Sequence, residues 1–526
     1  MTSSNGKTSY DAVVIGGGHN GLVAAAMLGR AGRRVLLVEA RDVLGGGAGT
    51  HVFHPGYKVN SLAHLMNRLA PEVERALGLD LADLGTSLAP TVALDPVRGP
   101  VVLGGAYGDS LSGVTPDEAG RFAALRALLM SQADLLARFL ARPPPMPGEL
   151  SLGDAVDLGK AAVALLKRGR SAGRDFARML LTNIADVVDE HLDDDRLKGL
   201  LAFDATLGIH LGPRSPTSIV GLYYRLAGSC LGARGGQIVP RGGMGAVTAH
   251  LAAAARQAGV EIRTGAPVAA IAADRGRASG IVLPWGARIA APLIVSAIHP
   301  VTTLRSLLPP GAIDIGLDRA VSHIRSRGDA AKLHLALDAV PAFVGVPAEA
   351  ARGRLVVAPS VDHVERAFNP AKYGDFSPDP VIEITLPSLT DPTFAPRGGA
   401  VLSAIVQYAP YDLSGGWDAR RDAFLETVLA TLERHAPGLR GSIVGAELLL
   451  PPDIEAHFGM PGGHWHHGEL QVDQMIFNRP AFGASGYETP VPGLYLASAG
   501  SHPGGGVSGL PGYNAARRAL AKETAA

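Results

Sequence analysis

The sequence predicts an α/β protein of more than one domain, and three observations carry that prediction. A strand, glycine turn, helix and strand fill the first forty-odd residues after a short polar lead. A second strand, glycine turn and helix close the chain. A helical tract and an alternating, strand-like tract lie between the two. At 526 residues the chain exceeds what one small core organises, so two or more domains, in series or interleaved, are expected.

The opening unit begins with Ala12–Ile15, an apolar run of the kind a strand buried on both faces requires. Gly16, Gly18 and Gly21 follow with G-x-G-x-x-G spacing. The first allows a tight turn, the second lets backbone approach a pyrophosphate, and the third lets helix pack on strand. A helix starting near His19 and Asn20 aims its free N–H groups at that phosphate. Glu39 ends the second strand about 20 residues on, where an acid hydrogen-bonds a ribose hydroxyl. That acid disfavours a 2′-phosphate, and hence NADP, at this site. A further glycine cluster, Gly45–Gly47 and Gly49, predicts backbone passing close to a large ligand. The polar and apolar mixture over 51–79, including Tyr57, Asn60, Ser61, His64 and Asn67, leads past that ligand's reactive end.

From about Pro116 to His210 the periodicity turns helical, with Phe122, Leu125, Leu129 and Leu136 on one face. Pro143–Pro145 and Pro147 end that helix. Further helices are expected over 152–167, 172–190 and 195–207. The apolar piece Gly159–Arg168 has basic flanks, suited to a membrane surface or to a half-buried face. Gly243 and Gly245 precede an alanine-rich helix over 246–258. They lack a strand before them and a third glycine, so no separate nicotinamide domain is expected. Strands return at 260–263, 267–271, 280–283 and 293–297. The alternating runs Lys332–Asp338 and Val381–Leu386 predict a sheet with one wet face. A short buried strand over 493–500, a turn over 501–509 and a helix over 514–522 suit a second contact with one extended ligand.

Composition narrows the function classes. Lys+Arg and Asp+Glu balance at 48 each, so no basic field points to nucleic acid. The single cysteine, Cys230, excludes a disulfide framework and a Cys-x-x-Cys redox pair within the chain. Met1–Tyr10 lacks the apolar core of a signal peptide, and no run long enough to span a bilayer is present. A cytoplasmic protein is expected, with peripheral membrane attachment left open.

The opening Val13–Leu22, the Gly45–Gly46 loop, Arg241–Gly245, Pro461–Glu469 and the ending Gly493–Gly506 together resemble the phytoene desaturase-like FAD-dependent oxidoreductases. Within them, they are most similar to the branch named after pyridine nucleotide-disulfide oxidoreductase domain-containing protein 2. The resemblance spans most of the chain and implies a Rossmann-like FAD-binding domain assembled from residues 1–105, 235–305 and 485–526. An interleaved substrate domain would comprise a helical part over 106–234 and a sheet part over 306–484. FAD would contact Gly16, Gly18, His19, Asn20, Gly21, Glu39, Ala40, Arg41, Gly45 and Gly46. Val268 would pair its backbone with adenine, and Gly500, Gly505, Gly506 and Val507 would face the flavin ring. Ser498–Ser501 stand where amine oxidases of the wider superfamily usually carry an acid, which favours the desaturase-like branch.

That resemblance implies a dehydrogenase or desaturase moving hydride from a largely apolar substrate to flavin N5. A redox-neutral flavin-dependent isomerase and a flavin-bearing interaction protein are the alternatives. Desaturation also removes a proton, so a base is sought. Lys332 is similar in setting to the lysine that many relatives place near N5. His466 and His467 are candidates for a base or a substrate contact. The spacing of His464, His466, His467 and Glu469 matches no helix-borne zinc site, so no metal is expected. His502 is expected to order its turn, while Arg479 either anchors an anion or braces its loop. The electron acceptor and the oligomeric state leave no signature in these residues.

Overall fold

The computed structural model describes residues 9–144 and 172–525. The expected helix over 152–167 and the basic-flanked piece Gly159–Arg168 lie outside those residues. Ala12–Ile15 forms the middle of a five-stranded parallel sheet. Its order is Glu261–Arg263, Val35–Val38, Ala12–Ile15, Leu293–Ser296 and Leu494–Leu496. Four of these strands are buried throughout, which is why they read as unbroken apolar runs. The sheet thus draws strands from both ends of the chain.

One face of the sheet is covered by His19–Arg30, which lies against Gly243–Gln257 and Leu510–Ala525 through Leu22, Val23, Leu251 and Ala515. Ala270–Asp274, Arg277–Val282 and Arg288–Ala290 form a small antiparallel sheet whose Ile281 and Ile289 cover Val13 and Leu36 on the other face.

A second, eight-stranded mixed sheet runs Ile443–Leu449, Ala330–Leu337, Ala400–Gln407, Val381–Thr385, Arg354–Val357, Thr91–Ala93, Val101–Gly104 and Ser110–Ser112. Residues 91–104, expected within the first FAD-binding segment, pair into this sheet instead. The chain changes sheets before residue 91.

The expectation of one wet face is also corrected. Ala330–Leu337 and Val381–Thr385 are buried at every position. One side, carrying Leu333, Leu335, Ile384 and Leu402, packs on helix Trp417–His435 through Phe424 and Val428. The polar side, carrying Lys332, Arg354, Glu383 and Thr385, is buried as well. Helices Asp195–Thr206 and Ile219–Leu226 share a core with Val356, Val381 and Tyr408 of that side. The expected single helix over 172–190 is two, Ala172–Leu181 and Ile184–His191, because Asn183 leaves helical geometry and caps the second through Asp186 N.

Candidate active site

A continuous cavity of about 610 Å³ lies between the two sheets. Its wall joins the amino-terminal turn (Gly16, Gly18, His19 and Asn20) to the carboxy-terminal turn (Gly505, Gly506 and Val507). Glu39, Ala40, Arg41, Gly45, Gly46 and Val268 line it too. Gly21 and Gly500 shape that wall from behind. A Cβ on Gly21 would drive into the Gly16 carbonyl oxygen, so the third glycine of the fingerprint is what seats the helix. A Cβ on Gly500 would meet the Pro300 ring and His467. Gly16 turns the chain with φ +100°, a conformation that L side chains resist.

Several observations fit this end of the cavity to a dinucleotide. Gly18 begins the helix with no side-chain cap and no acid in the first turn, so its N–H groups and dipole remain open to an anion. His19 Nε2 and Asn20 Oδ1 are buried with no partner among the described residues, and burial pushes the His19 imidazole down to about 4. Glu39 is fixed at the end of its strand by accepting from Gly17 N at 2.6 Å and Arg41 N at 2.9 Å. The helix beginning at Gly243 differs sharply. Asp391, Asn60 and Thr50 accept from the N–H groups of Gly242, Met244 and Gly245, so that terminus is already satisfied.

The other end of the cavity is lined by Leu207, Ile209, Ile405, Trp465 and Leu470, with His64 and Glu383 set among them. Lys332 adjoins this wall through His64. Its Nζ lies 2.8 Å from His64 Nδ1, and His64 Nε2 lies 2.7 Å from Glu383 Oε1. Arg354 bridges Glu383 to Asp204, and Tyr107 donates to Asp204 at 2.6 Å. The chain is wholly buried, so its electrostatics are strong. Burial opposes charge on Glu383, but Arg354 and His64 outweigh it and hold the carboxyl well below its usual range. An ionised Glu383 accepts from His64 Nε2–H, which leaves Nδ1 to accept from Lys332. Burial, then the neighbouring Lys332, pushes His64 down to about 4. Burial brings Lys332 down to about 7 despite the Glu383 charge.

His466 and His467 both line the cavity, and their buried Nδ1 atoms have no partner among the described residues. Burial first, and then neighbouring histidines and Arg479, keep both imidazoles well below their ordinary value. Of the two readings for Arg479, the geometry takes the brace. Its guanidinium donates to the backbone oxygens of Ala499, Glu469 and His466 at 2.8, 2.9 and 2.6 Å. His502 orders its turn by bonding the Phe139 carbonyl at 2.9 Å. Among the described residues, no cluster of three or more His, Cys, Asp or Glu is arranged to hold a metal ion. No helix among them is long and apolar enough to cross a membrane.

Sequence reasoning named His64 only in passing and missed Glu383, Arg354 and Asp204. The signal of Glu383 was present as a polar residue alternating along an apolar strand, but it was assigned to solvent; Asp204 lies on a helix and Arg354 opens an otherwise apolar strand, so neither belongs to such an alternation.

Residues 21–358 match the family described as flavin containing amine oxidoreductase. The chain is 33% identical to pyridine nucleotide-disulfide oxidoreductase domain-containing protein 2 of Rattus norvegicus, over 98% of this chain and 94% of that protein. It is 27% identical to a lycopene-forming phytoene desaturase of Paracoccus sp., over 95% of each. In fold it is similar to cyclohexylamine oxidase from Brevibacterium oxydans, with a TM-score of 0.59 and 16% identity, covering 98% of this chain and all of the other.

Proposed function

The chain belongs to the flavin-containing amine oxidoreductase family and is an FAD-dependent oxidoreductase, and from that premise we propose that it dehydrogenates a largely apolar carbon substrate. FAD, when bound, supplies the hydride acceptor. Gly16, Gly18, His19, Asn20, Glu39, Arg41, Gly45, Gly46 and Val268 would hold its dinucleotide part. Gly505, Gly506 and Val507 would border its ring.

The observation that carries the reading is the buried Lys332–His64–Glu383 chain, whose His64 and Glu383 line the apolar end of the cavity. Removing two hydrogens from adjacent carbons releases one as hydride and one as a proton. An amine with a value near 7 is unprotonated in a useful fraction at neutral pH. Lys332 spends one N–H on His64, and its lone pair would take the proton through a water at the cavity wall that His64 lines. The ammonium so formed keeps its bond to His64, and Glu383 steadies it through the imidazole. This is the base-and-orienter arrangement of hydrolytic triads applied to an amine. Leu207, Ile209, Ile405 and Leu470 favour a hydrocarbon chain beside His64, the residue that Lys332 touches.

The test is anaerobic mixing of the yellow protein with polyenes, terpenoids, lipids and amines while following flavin absorbance. Bleaching by the apolar classes is expected. Bleaching by amines alone would overturn the proposal.

A further inference from the structure

Arg68 is a half-buried cation with no carboxylate counter-ion among the described residues. Its Nε has no access to solvent and no hydrogen-bond partner among the described residues. Among the described residues, the charged or titratable groups that act on it appreciably are Tyr224 and Arg225, and neither is a carboxylate. Its guanidinium carbon lies 3.5 Å from the centre of the Tyr224 ring. Tyr224 in turn donates to the Gly505 carbonyl at 2.7 Å, so stack and glycine turn form one unit. A Cβ on Gly506 would lie 2.8 Å from Arg68 Cδ and 3.1 Å from Nε, and one on Gly505 would collide with His466 Nδ1. Arg68, Tyr224, His466, Gly505 and Gly506 all line the cavity.

A guanidinium taken out of water is costly unless something offsets it. The Tyr224 ring face offsets part of that cost. The remainder calls for negative charge delivered into the cavity at the carboxy-terminal turn. Elsewhere the chain neutralises its buried arginines by other means: Arg354 meets two carboxylates, and Arg479 meets backbone carbonyls. Only Arg68 among these three is left facing the cavity without an acceptor.

Resting on the FAD reading above, we propose that Arg68 is a positioning residue for the anionic form of the flavin. It would hold the negative charge that collects on the N1–C2=O edge when N5 gains a hydride or a nucleophile, with Gly506 glycine so that the guanidinium can come close. A cation fixed there favours every N5 adduct that makes this edge anionic.

Sulfite tests this without substrate. It adds to N5 through its sulfur lone pair, the ring takes up the electron pair, and the negative charge settles on the N1–C2=O edge. With FAD bound in stoichiometric amount, the unaltered protein is expected to form the adduct, seen as loss of absorbance near 450 nm. Arg68→Met should weaken sulfite binding by at least tenfold, and Arg68→Lys should recover most of it. No adduct with the unaltered protein, or equal affinity in Arg68→Met, overturns the proposal. So does a medium-chain carboxylate that perturbs the flavin spectrum only when Arg68 is present while sulfite affinity is unchanged, because the anion would then belong to the substrate. Should Arg68→Met not retain FAD, Arg68→Gln is compared with Arg68→Lys on the same criterion. Failure of every form, the unaltered one included, to bind FAD refutes the cofactor reading instead, so the two failures are distinguishable.

Discussion

Replacing Lys332 with Met removes the proposed base while keeping most of its volume, and the structure sets two magnitudes for the result. The first is kinetic. General-base assistance contributes about 10²–10⁴-fold, so flavin reduction by substrate should slow by that factor. The pH profile should change as well. Lys332 must be unprotonated to act, so in the unaltered protein reduction should rise as pH passes through about 7 and fall about tenfold for each unit below it. Lys332→Met should show no such limb. The second magnitude is thermodynamic and opposite in sign to most core substitutions. A drop from 10.5 to about 7 amounts to roughly 5 kcal/mol of disfavoured charge. Between those values the unfolded chain binds the proton and the folded one does not, so this penalty is full below about pH 7 and disappears as pH rises toward 10.5. The variant loses a hydrogen bond to His64, about 1 kcal/mol, which Thr385 at 3.3 Å and Ser403 at 3.5 Å are placed to replace. Flavin-free Lys332→Met should therefore melt higher than the unaltered protein at pH 6, with the advantage shrinking toward pH 10. Stopped-flow absorbance and thermal melts over pH 6–10 measure both. A variant that melts lower at pH 6 and reduces flavin with the unaltered pH profile refutes the reasoning.

Three further outcomes are expected. Arg354→Met strands Glu383 and Asp204 as buried carboxylates, which should cost about 3–5 kcal/mol in denaturant unfolding; a loss under 1 kcal/mol would mean that water reaches them. Glu39→Ala frees the N–H groups of Gly17 and Arg41 and removes the ribose acceptor, so FAD affinity, read by quenching of its fluorescence, should fall about 10–100-fold. Gly21→Ala pushes a methyl into the Gly16 carbonyl, and the purified protein should be colourless or insoluble; a yellow, fully loaded variant would show that the helix need not lie so close to the turn.

The parts of this fold legible in sequence were those where local pattern and tertiary role coincide. Four of the five parallel strands are buried on both faces, so each of these declares itself as a run such as Val13–Ile15 or Leu36–Val38. The two glycine turns were legible because a backbone that must approach a ligand or another chain segment needs glycine, as at Gly16 and Gly21. Gly243 was set aside as a second nucleotide turn because it lacks a preceding strand and a third glycine, and in the structure Asn60, Thr50 and Asp391 cap that helix end from within the protein.

The active wall was illegible for an equally physical reason. Period-two alternation reports that the two faces of a strand differ in polarity; it does not report what covers the polar one. Along Ala330–Leu337 and Val381–Thr385 the polar face is covered by helices that enter the sequence more than a hundred residues earlier, and Asp204 arrives on one of them to meet Arg354. An ion pair between residues 150 positions apart leaves no spacing to recognise. What does distinguish such a face is its mixture of residue types. Solvent-facing strand positions have no use for a Lys, a His, a Glu and an Arg all fully enclosed, because each would lose hydration for nothing. Enclosure is tolerable only if the groups satisfy one another in sequence, as Lys332, His64, Glu383, Arg354 and Asp204 do. The network therefore does two things with one set of residues: it lets the polar side of a sheet serve as the interior wall of a cavity, and it leaves at its end an amine that is short of a proton at neutral pH.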